Sequence, residues 1–157
     1  MDNQLYTPFF SSVQTILKQM ANIEVAFDGA HFDESDEIVS LGVSSIIAFA
    51  GKIKGRLLLD MEKELALAIA ENITGTKYAL ANEYMVLASI SELNNIIAGD
   101  GVTQLNNQHS LGLRLAPPIV FSGKETVICI PKISSASINC VTKYGKMKVN
   151  AAFERSI

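Results

Sequence analysis

The chain has 157 residues, of which 48% are hydrophobic and 18% are charged, a composition typical of a folded globular protein. The length suits one domain, which we expect to span residues 1–157. The net charge of −3 and the scattered lysines form no basic surface, which argues against nucleic acid as a partner. No apolar run approaches the roughly 20 residues of a membrane span, and the N-terminus lacks the basic region of a signal peptide. We therefore expect a cytoplasmic protein with no membrane partner.

Hydrophobic periodicity and turn residues predict helices and strands along the whole chain. In the first half, they predict a helix that is capped by Thr7, has Pro8 in its first turn and ends near Ala21. A strand over 23–27 follows, and then a loop with Asp28-Gly29 and the acidic stretch 33–37. The last elements of this half are strands over 38–49 and 52–60, which turn at Ala50-Gly51, and a helix over 62–73 closed by Gly75. In the second half, they predict a helix capped by Asn82 over 83–99, with an extension to Val102 and Leu105 left open, and strands over 111–115, 126–130, 137–143 and 147–154.

The connections between the predicted strands are mostly hairpins. In the last strand, Met147, Val149, Ala151 and Phe153 alternate with Lys148, Asn150 and Glu154, which predicts one inward and one outward face. Together these patterns predict an α+β fold in which helices pack against an antiparallel sheet.

One segment of the sequence recurs. The segment 47–52 resembles the segment 119–124, and each is followed by a strand-like apolar run. Each copy also has a helical segment upstream, so we predict an internal pseudo-twofold repeat over about 8–60 and 84–130. Chance similarity between two amphipathic hairpins is the alternative, because the identical residues are few.

The third predicted helix carries the most informative polar residues. Glu92 and Asn95 are three residues apart and therefore share one helix face. They belong to a stripe of Ala88, Glu92, Asn95 and Gly99 that lies beside an apolar stripe of Val86, Ile90, Leu93 and Ile97. For this spacing alone, an ordinary solvated face is the simpler interpretation.

Other candidate groups favour structural roles. Cys129 and Cys140 lack metal-ligand spacing, and His31 and His109 have no second ligand in register, so we predict buried thiols, loop histidines and no metal site. The triplet 99–101 follows the predicted helix, which favours a helix end over a phosphate-binding loop.

The segment Glu92-x-x-Asn95-x-x-Ala98-Gly99, followed 23 residues after Asn95 by Pro118, resembles the signature of the CheC/CheX/FliY family of chemotaxis phosphatases. The single copy and the short chain are most similar to CheX members. Further similarity covers nearly the whole chain, including the opening helix at Pro8-Phe9 and the strand 55–60 that leads into an Ala-rich helix. The sequence departs from the family at Ala88, where Asp or Ser is common.

The resemblance implies an activity: removal of the phosphoryl group from the aspartate of a CheY-type response-regulator receiver. It implies that Asn95 positions the attacking water and that Glu92 pairs with the receiver's lysine. It also implies a partner-binding surface of Glu92, Ala88, Ser91, Gly99 and Pro118, and no cofactor besides the Mg²⁺ of the receiver. On the first helix, Thr15 and Lys18 stand opposite Glu92 and Asn95, which predicts one active site per chain.

The alternative function is a non-catalytic adaptor that binds a receiver or a flagellar-switch partner, which the substitution at Ala88 favours. We also predict a homodimer, because we expect the hairpin 137–154 to leave an open sheet edge for a second chain.

Overall fold

The computed structural model describes residues 3–33, 37–129 and 134–154. After a 3-10 turn at Asn3–Leu5, the described helices are α1 (Thr7–Ala21), α2 (Lys63–Thr74) and α3 (Tyr84–His109). The described strands are β1 (Ala26–Asp33), β2 (Glu37–Val39), β3 (Gly42–Ala50), β4 (Lys54–Glu62), β5 (Arg114–Leu115), β6 (Ile119–Ser122), β7 (Val127–Cys129), β8 (Ser134–Thr142) and β9 (Gly145–Glu154). None of the helices in these ranges is long and apolar enough to cross a bilayer.

One antiparallel sheet organises the molecule. Its strands run in the order β1-β8-β9-β4-β3, and both β5 and β6 pair with the outer side of β3. The three helices contact one face of this sheet and each other. The predicted α+β architecture is thus confirmed.

The helix predictions are close at α1 and α2. Tyr6, and not Thr7, is the N-cap of α1, with Pro8 in the first turn as predicted. The C-cap of α2 is Gly75, which takes a left-handed φ of 75° that glycine adopts without strain.

The predicted end of α3 at the triplet 99–101 is wrong. The helix continues ten residues past Gly99 and stops only at Ser110, its left-handed C-cap. Val102 and Leu105 are buried, and their burial explains the extension. Gly101 serves packing instead, because Phe9 of α1 lies directly against it.

Several strands differ from their predictions. β1 begins later and runs through the predicted turn at Asp28-Gly29, with a bulge between Phe27 and Ala30. The middle of the acidic stretch, 34–36, lies outside the described residues, as does residue 130 at the end of the predicted strand 126–130. A short strand, β6, lies between the predicted strands 111–115 and 126–130, where no strand was predicted.

The main core lies between the helices and the sheet. Its aromatic centre joins α1 to β3 and β9: the ring centroids of Phe9 and Phe49 are 5.4 Å apart, and those of Phe49 and Phe153 are 5.7 Å apart. Met147, Val149, Ala151 and Phe153 are buried, as the alternation in the last strand predicted.

The second face of the sheet is also partly covered, which the alternation did not predict. The chain bends at Ser40 and again near Gly123, so that the pair β2–β7 continues the pairing of β3 with β6. Ile38 and Ile128 of this pair pack on Leu58. Asn150, which we predicted to point outward to solvent, is buried on this face.

A buried carboxylate holds the bend before β3. Asp60 accepts hydrogen bonds from the hydroxyls of Ser40 and Ser44 at 2.9 and 2.7 Å, and from the backbone N–H of Leu41 at 2.9 Å. Burial raises the pKa of Asp60, and these three bonds and the charge of Lys148 act in the opposite direction. These hydrogen bonds replace the hydration that the carboxylate loses on burial.

The C-terminal hairpin does not provide an open edge. β8 pairs with β1 and β9, and β9 pairs with β8 and β4, so both strands are internal. The edges of the sheet are β1 on one side and β5 with β6 on the other. The reason we gave for a homodimer is therefore wrong, and the homodimer itself stays a prediction.

The order of strands in the sheet is symmetric about its centre. β4 and β9 are central, β3 and β8 flank them, and β6 and β1 lie outside, as a twofold repeat would produce. In this arrangement β3 and β4 correspond to β8 and β9. The similar segments 47–52 and 119–124 begin in β3 and β6, which do not hold equivalent places in the sheet order, and the repeat over about 8–60 and 84–130 stays a prediction.

Two glycines in α3 provide a matched test of the α1–α3 contact. An added Cβ at Gly101 would lie 2.5 Å from Cδ1 of Phe9, whereas at Gly99 its nearest neighbour would be Cδ1 of Leu115 at 3.7 Å. We expect Gly101→Ala to lower the free energy of unfolding by about 1–3 kcal/mol through overpacking. Gly99→Ala should raise it by up to about 1 kcal/mol through helix propensity. Urea denaturation measures both, and equal effects would contradict the contact.

Candidate functional site

The candidate site lies on the exposed side of α3. Val86, Ile90, Leu93 and Ile97 are fully buried, whereas Glu92 is exposed and Ala88, Asn95 and Gly99 are half-buried. The two stripes predicted from the spacing are therefore separated in the structure. The rotation of α3 about its axis leaves the carboxylate and the carboxamide accessible on one face.

The rotation of α3 is held by Asn94, which the sequence analysis did not single out. Its side chain is completely buried. Its Nδ2 donates to the hydroxyl and the carbonyl of Ser45 at 3.0 and 3.1 Å, and lies 3.4 Å from the carbonyl of Leu57. The helix is thus bonded to both β3 and β4, and the next residue, Asn95, must point away from the sheet.

A signal for this anchor was present in the sequence. Asn94 is four residues after Ile90 and three before Ile97, so it lies on the buried face. Ser45 occupies an inward position of β3 between Val43 and Ile47. Two polar residues at inward positions of neighbouring elements indicate a buried hydrogen bond.

The serines near Glu92 differ in their surroundings. Ser89 is buried, and its hydroxyl donates to the carbonyl of Met85 at 2.7 Å, so it is not available to a partner. Ser91 is half-buried, beside Glu92 on the open side of the helix. Ala88 offers only a methyl group at the start of the stripe.

The segment that carries Pro118 is brought to the same helix. Pro118 joins β5 to β6, and α3 packs against both strands. The side chain of Leu115 lies beside Gly99. The half-buried Pro118 lies three residues after Leu115, in the loop that leads into β6, and its role in partner binding stays a prediction.

The first helix lacks an equivalent polar pair. Thr15 is exposed, and its hydroxyl donates to the carbonyl of Ser11 at 3.2 Å. The amine of Lys18 forms an ion pair with Glu24 at 3.4 Å. Thr15 lacks the negative charge that Glu92 would offer to a lysine, and the ammonium group of Lys18 has no acceptor for a water.

The predicted roles of cysteine and histidine are corrected in part. Cys140 is buried, which raises the pKa of its thiol to about 12, but Cys129 is exposed at the end of β7. His109 ends α3 and His31 lies in β1, so neither is a loop residue. Among the residues that the structure describes, no three His, Cys, Asp or Glu side chains are grouped to hold a metal ion.

The fold and the site define a class of protein: an α+β domain whose longest helix presents a carboxylate and a carboxamide on an accessible face. The sequence agrees with a known family. Residues 43–140 match the family model described as chemotaxis phosphatase CheX, and the chain belongs to this family. No curated protein matches the sequence.

Solved structures share the fold over nearly their whole length. A CheC-like superfamily protein from Shewanella sp. PV-4 is 27% identical, with 99% of this chain and 100% of that chain covered and a TM-score of 0.87. The chemotaxis protein CheX from Vibrio vulnificus is 25% identical, with coverage of 96% and 99% and a TM-score of 0.86. A CheX-CheY-BeF3-Mg complex from Borrelia burgdorferi contains a chain that is 24% identical, with coverage of 96% and 97% and a TM-score of 0.82.

Substitution of the two adjacent asparagines should change stability by different amounts. Asn94→Ala removes the buried donor and leaves acceptors of β3 and β4 without it, so we expect a loss of about 1–3 kcal/mol in the free energy of unfolding. Asn95→Ala should change it by less than about 0.5 kcal/mol, because Asn95 lies on the open face. Thermal and urea denaturation of the two variants measure this difference. A larger loss for Asn95→Ala would contradict the orientation of α3.

Proposed function

We propose that this chain hydrolyses the phosphoaspartate of a CheY-type receiver domain, with Asn95 positioning the attacking water and Glu92 binding the receiver. The observation that carries the proposal is that the exposed Glu92 and the half-buried Asn95 are accessible on one face of α3, in a chain of the chemotaxis phosphatase CheX family. The Borrelia burgdorferi relative with the same fold is a complex with CheY, BeF3 and Mg, which supports a receiver as the partner. A cytoplasmic location agrees with this proposal.

The chemistry requires little of the phosphatase itself. A water oxygen attacks phosphorus, and the bond from phosphorus to the aspartyl oxygen breaks. The products are inorganic phosphate and the free carboxylate of the receiver's aspartate. Phosphoryl transfer of this kind depends on positioning and on charge stabilisation. In the proposal, Mg²⁺ and a lysine belong to the receiver, and the chain contributes no cofactor.

The carboxamide of Asn95 suits the positioning of a water. Its oxygen can accept a hydrogen bond from the water while its amide donates to a phosphoryl oxygen. A carboxylate in the same place would repel that oxygen. Because Asn94 holds α3 against the sheet, Asn95 extends from a fixed helix, and a fixed group loses little entropy when it orients the reactant.

Glu92 is one helical turn from Asn95, which places its side chain about 5–6 Å away at Cβ. In the proposed complex it forms a charge-assisted hydrogen bond with the receiver's lysine. The interface would exclude water, so that this contact should exceed the small contribution of an exposed ion pair.

An Asn95→Ala variant should lose catalysis and keep binding. We expect phosphate release from acetyl-phosphate-charged receivers of the same organism to fall on the order of a hundredfold, because the water is no longer placed in line. Affinity for the beryllofluoride-activated receiver should be unchanged. Asn107→Ala is the matched control, since Asn107 is exposed on another side of α3. Unchanged release in Asn95→Ala would contradict the proposal.

A Glu92→Gln variant should weaken both steps. The loss of the charged partner for lysine should raise the Kd for the activated receiver by about tenfold or more, and release at low receiver concentration should fall accordingly. Calorimetric titration measures the Kd. If the Kd equals that of the unchanged chain, Glu92 does not contribute to receiver binding, and its proposed role is wrong.

The second candidate function is a non-catalytic adaptor for a receiver or a flagellar-switch partner. Ala88 favours it, because this position offers no polar group to the partner. The Asn95→Ala experiment separates the two functions: an adaptor would bind the activated receiver without accelerating phosphate release in either form of the chain.

A further inference from the structure

The start of α3 exposes a cluster of large apolar side chains. Tyr84 is 81% exposed, Leu80 61% and Met85 46%. Grouped exposed apolar side chains are typical of interaction surfaces, whereas scattered ones are ordinary. This cluster needs an explanation that the packing of the domain does not supply.

The cluster continues the stripe of the proposed site. Tyr84 and Met85 precede Glu92 by eight and seven residues, so both lie about 10–12 Å from it along the axis. At 3.6 residues per turn, Tyr84, Met85, Ala88, Glu92 and Asn95 all project within about a third of the helix circumference. A partner seated over Glu92 and Asn95 therefore reaches Tyr84 and Met85.

The turn before α3 holds the cluster in place. The backbone N–H of Glu83 donates to the carbonyl of Leu80 at 3.2 Å, and the N–H of Leu80 donates to Oε2 of Glu83 at 2.9 Å. These reciprocal bonds close the turn that leads into the helix. An apolar surface that is already ordered loses little conformational entropy when a partner covers it.

The charges around the cluster restrict the occupant. From Tyr78 to Leu113 the sequence contains Glu83, Glu92 and Asp100 but no lysine or arginine. The occupant must then present a cation to Glu92 and an apolar surface toward Tyr84. Outside α3, Lys63 and Lys124 line the cleft next to Leu80 together with Glu62 and Glu64, so their charges balance and this face offers no cationic surface to an anionic membrane or a nucleic acid.

Resting on the proposed function, we propose that Tyr84 and Met85, with Leu80 at the margin, form the apolar half of the receiver-binding surface. They supply the binding energy that Ala88 cannot provide, and they select receivers with an exposed apolar surface beside the phosphorylated aspartate and its lysine. Tyr84 is the principal contact, because tyrosine is enriched among the residues that dominate binding.

The test measures affinity and turnover separately in Tyr84→Ser, Tyr84→Phe and Tyr144→Ser variants of the whole chain. Tyr144→Ser is the matched control, because Tyr144 is 39% exposed in the turn between β8 and β9. The probe is a CheY-type receiver of the same organism with beryllofluoride and Mg²⁺ for the Kd, and with acetyl phosphate for KM and kcat.

We expect Tyr84→Ser to raise the Kd and KM by about tenfold or more with kcat unchanged, Tyr84→Phe to retain the affinity, and Tyr144→Ser to behave like the unchanged chain. An unchanged Kd in Tyr84→Ser would overturn the inference, as would an equal loss in Tyr144→Ser. A loss in Tyr84→Phe equal to that in Tyr84→Ser would also overturn it, because the hydroxyl would then be the contact. If Asn95→Ala abolishes release while Tyr84→Ser changes nothing, the inference fails and the proposed function stands.

Discussion

The buried carboxamide of Asn94 is the contact on which the site depends. The apolar stripe of an amphipathic helix is about 100° wide, so apolar packing alone sets the rotation of the helix on a sheet only loosely. Asn94 removes that freedom, because a rotated helix would leave its Nδ2 and the acceptors of Ser45 and Leu57 buried without each other. The outward direction of Asn95 follows from the inward direction of its neighbour.

The sheet supports this arrangement by being covered on both faces. The helices fill one face, and the pair β2–β7 folds across part of the other. Asp60 fastens the bend that makes this possible, through its bonds to Ser40, Leu41 and Ser44. β3 and β4, which receive Asn94, are therefore packed from two sides. A helix bonded to such strands can present a functional group with little movement.

The surface of α3 combines a small polar centre with apolar ends. Glu92 and Asn95 lie between the exposed Tyr84 and Met85 on one side and the side chain of Leu115, beside Gly99, on the other. Such a surface suits a folded partner better than a small molecule, because it is a helix face and not a cavity. In the proposed complex, the phosphoaspartate, the Mg²⁺ and the lysine all belong to that partner.

The sequence alone determined the helices, the β3–β4 hairpin and the pair Glu92 and Asn95, because these features follow from periodicity, turn residues and spacing along one element. It also contained the CheX signature, which the family match confirms. Only the tertiary structure decided the length of α3, the internal position of the C-terminal hairpin and the burial of Asn150. Each of these depends on a contact with a distant segment. Phe9 packs on Gly101, β1 pairs with β8, and β2 and β7 cover part of the second face of the sheet. Local patterns carry no information about such long-range partners, since the same residues would be exposed in their absence.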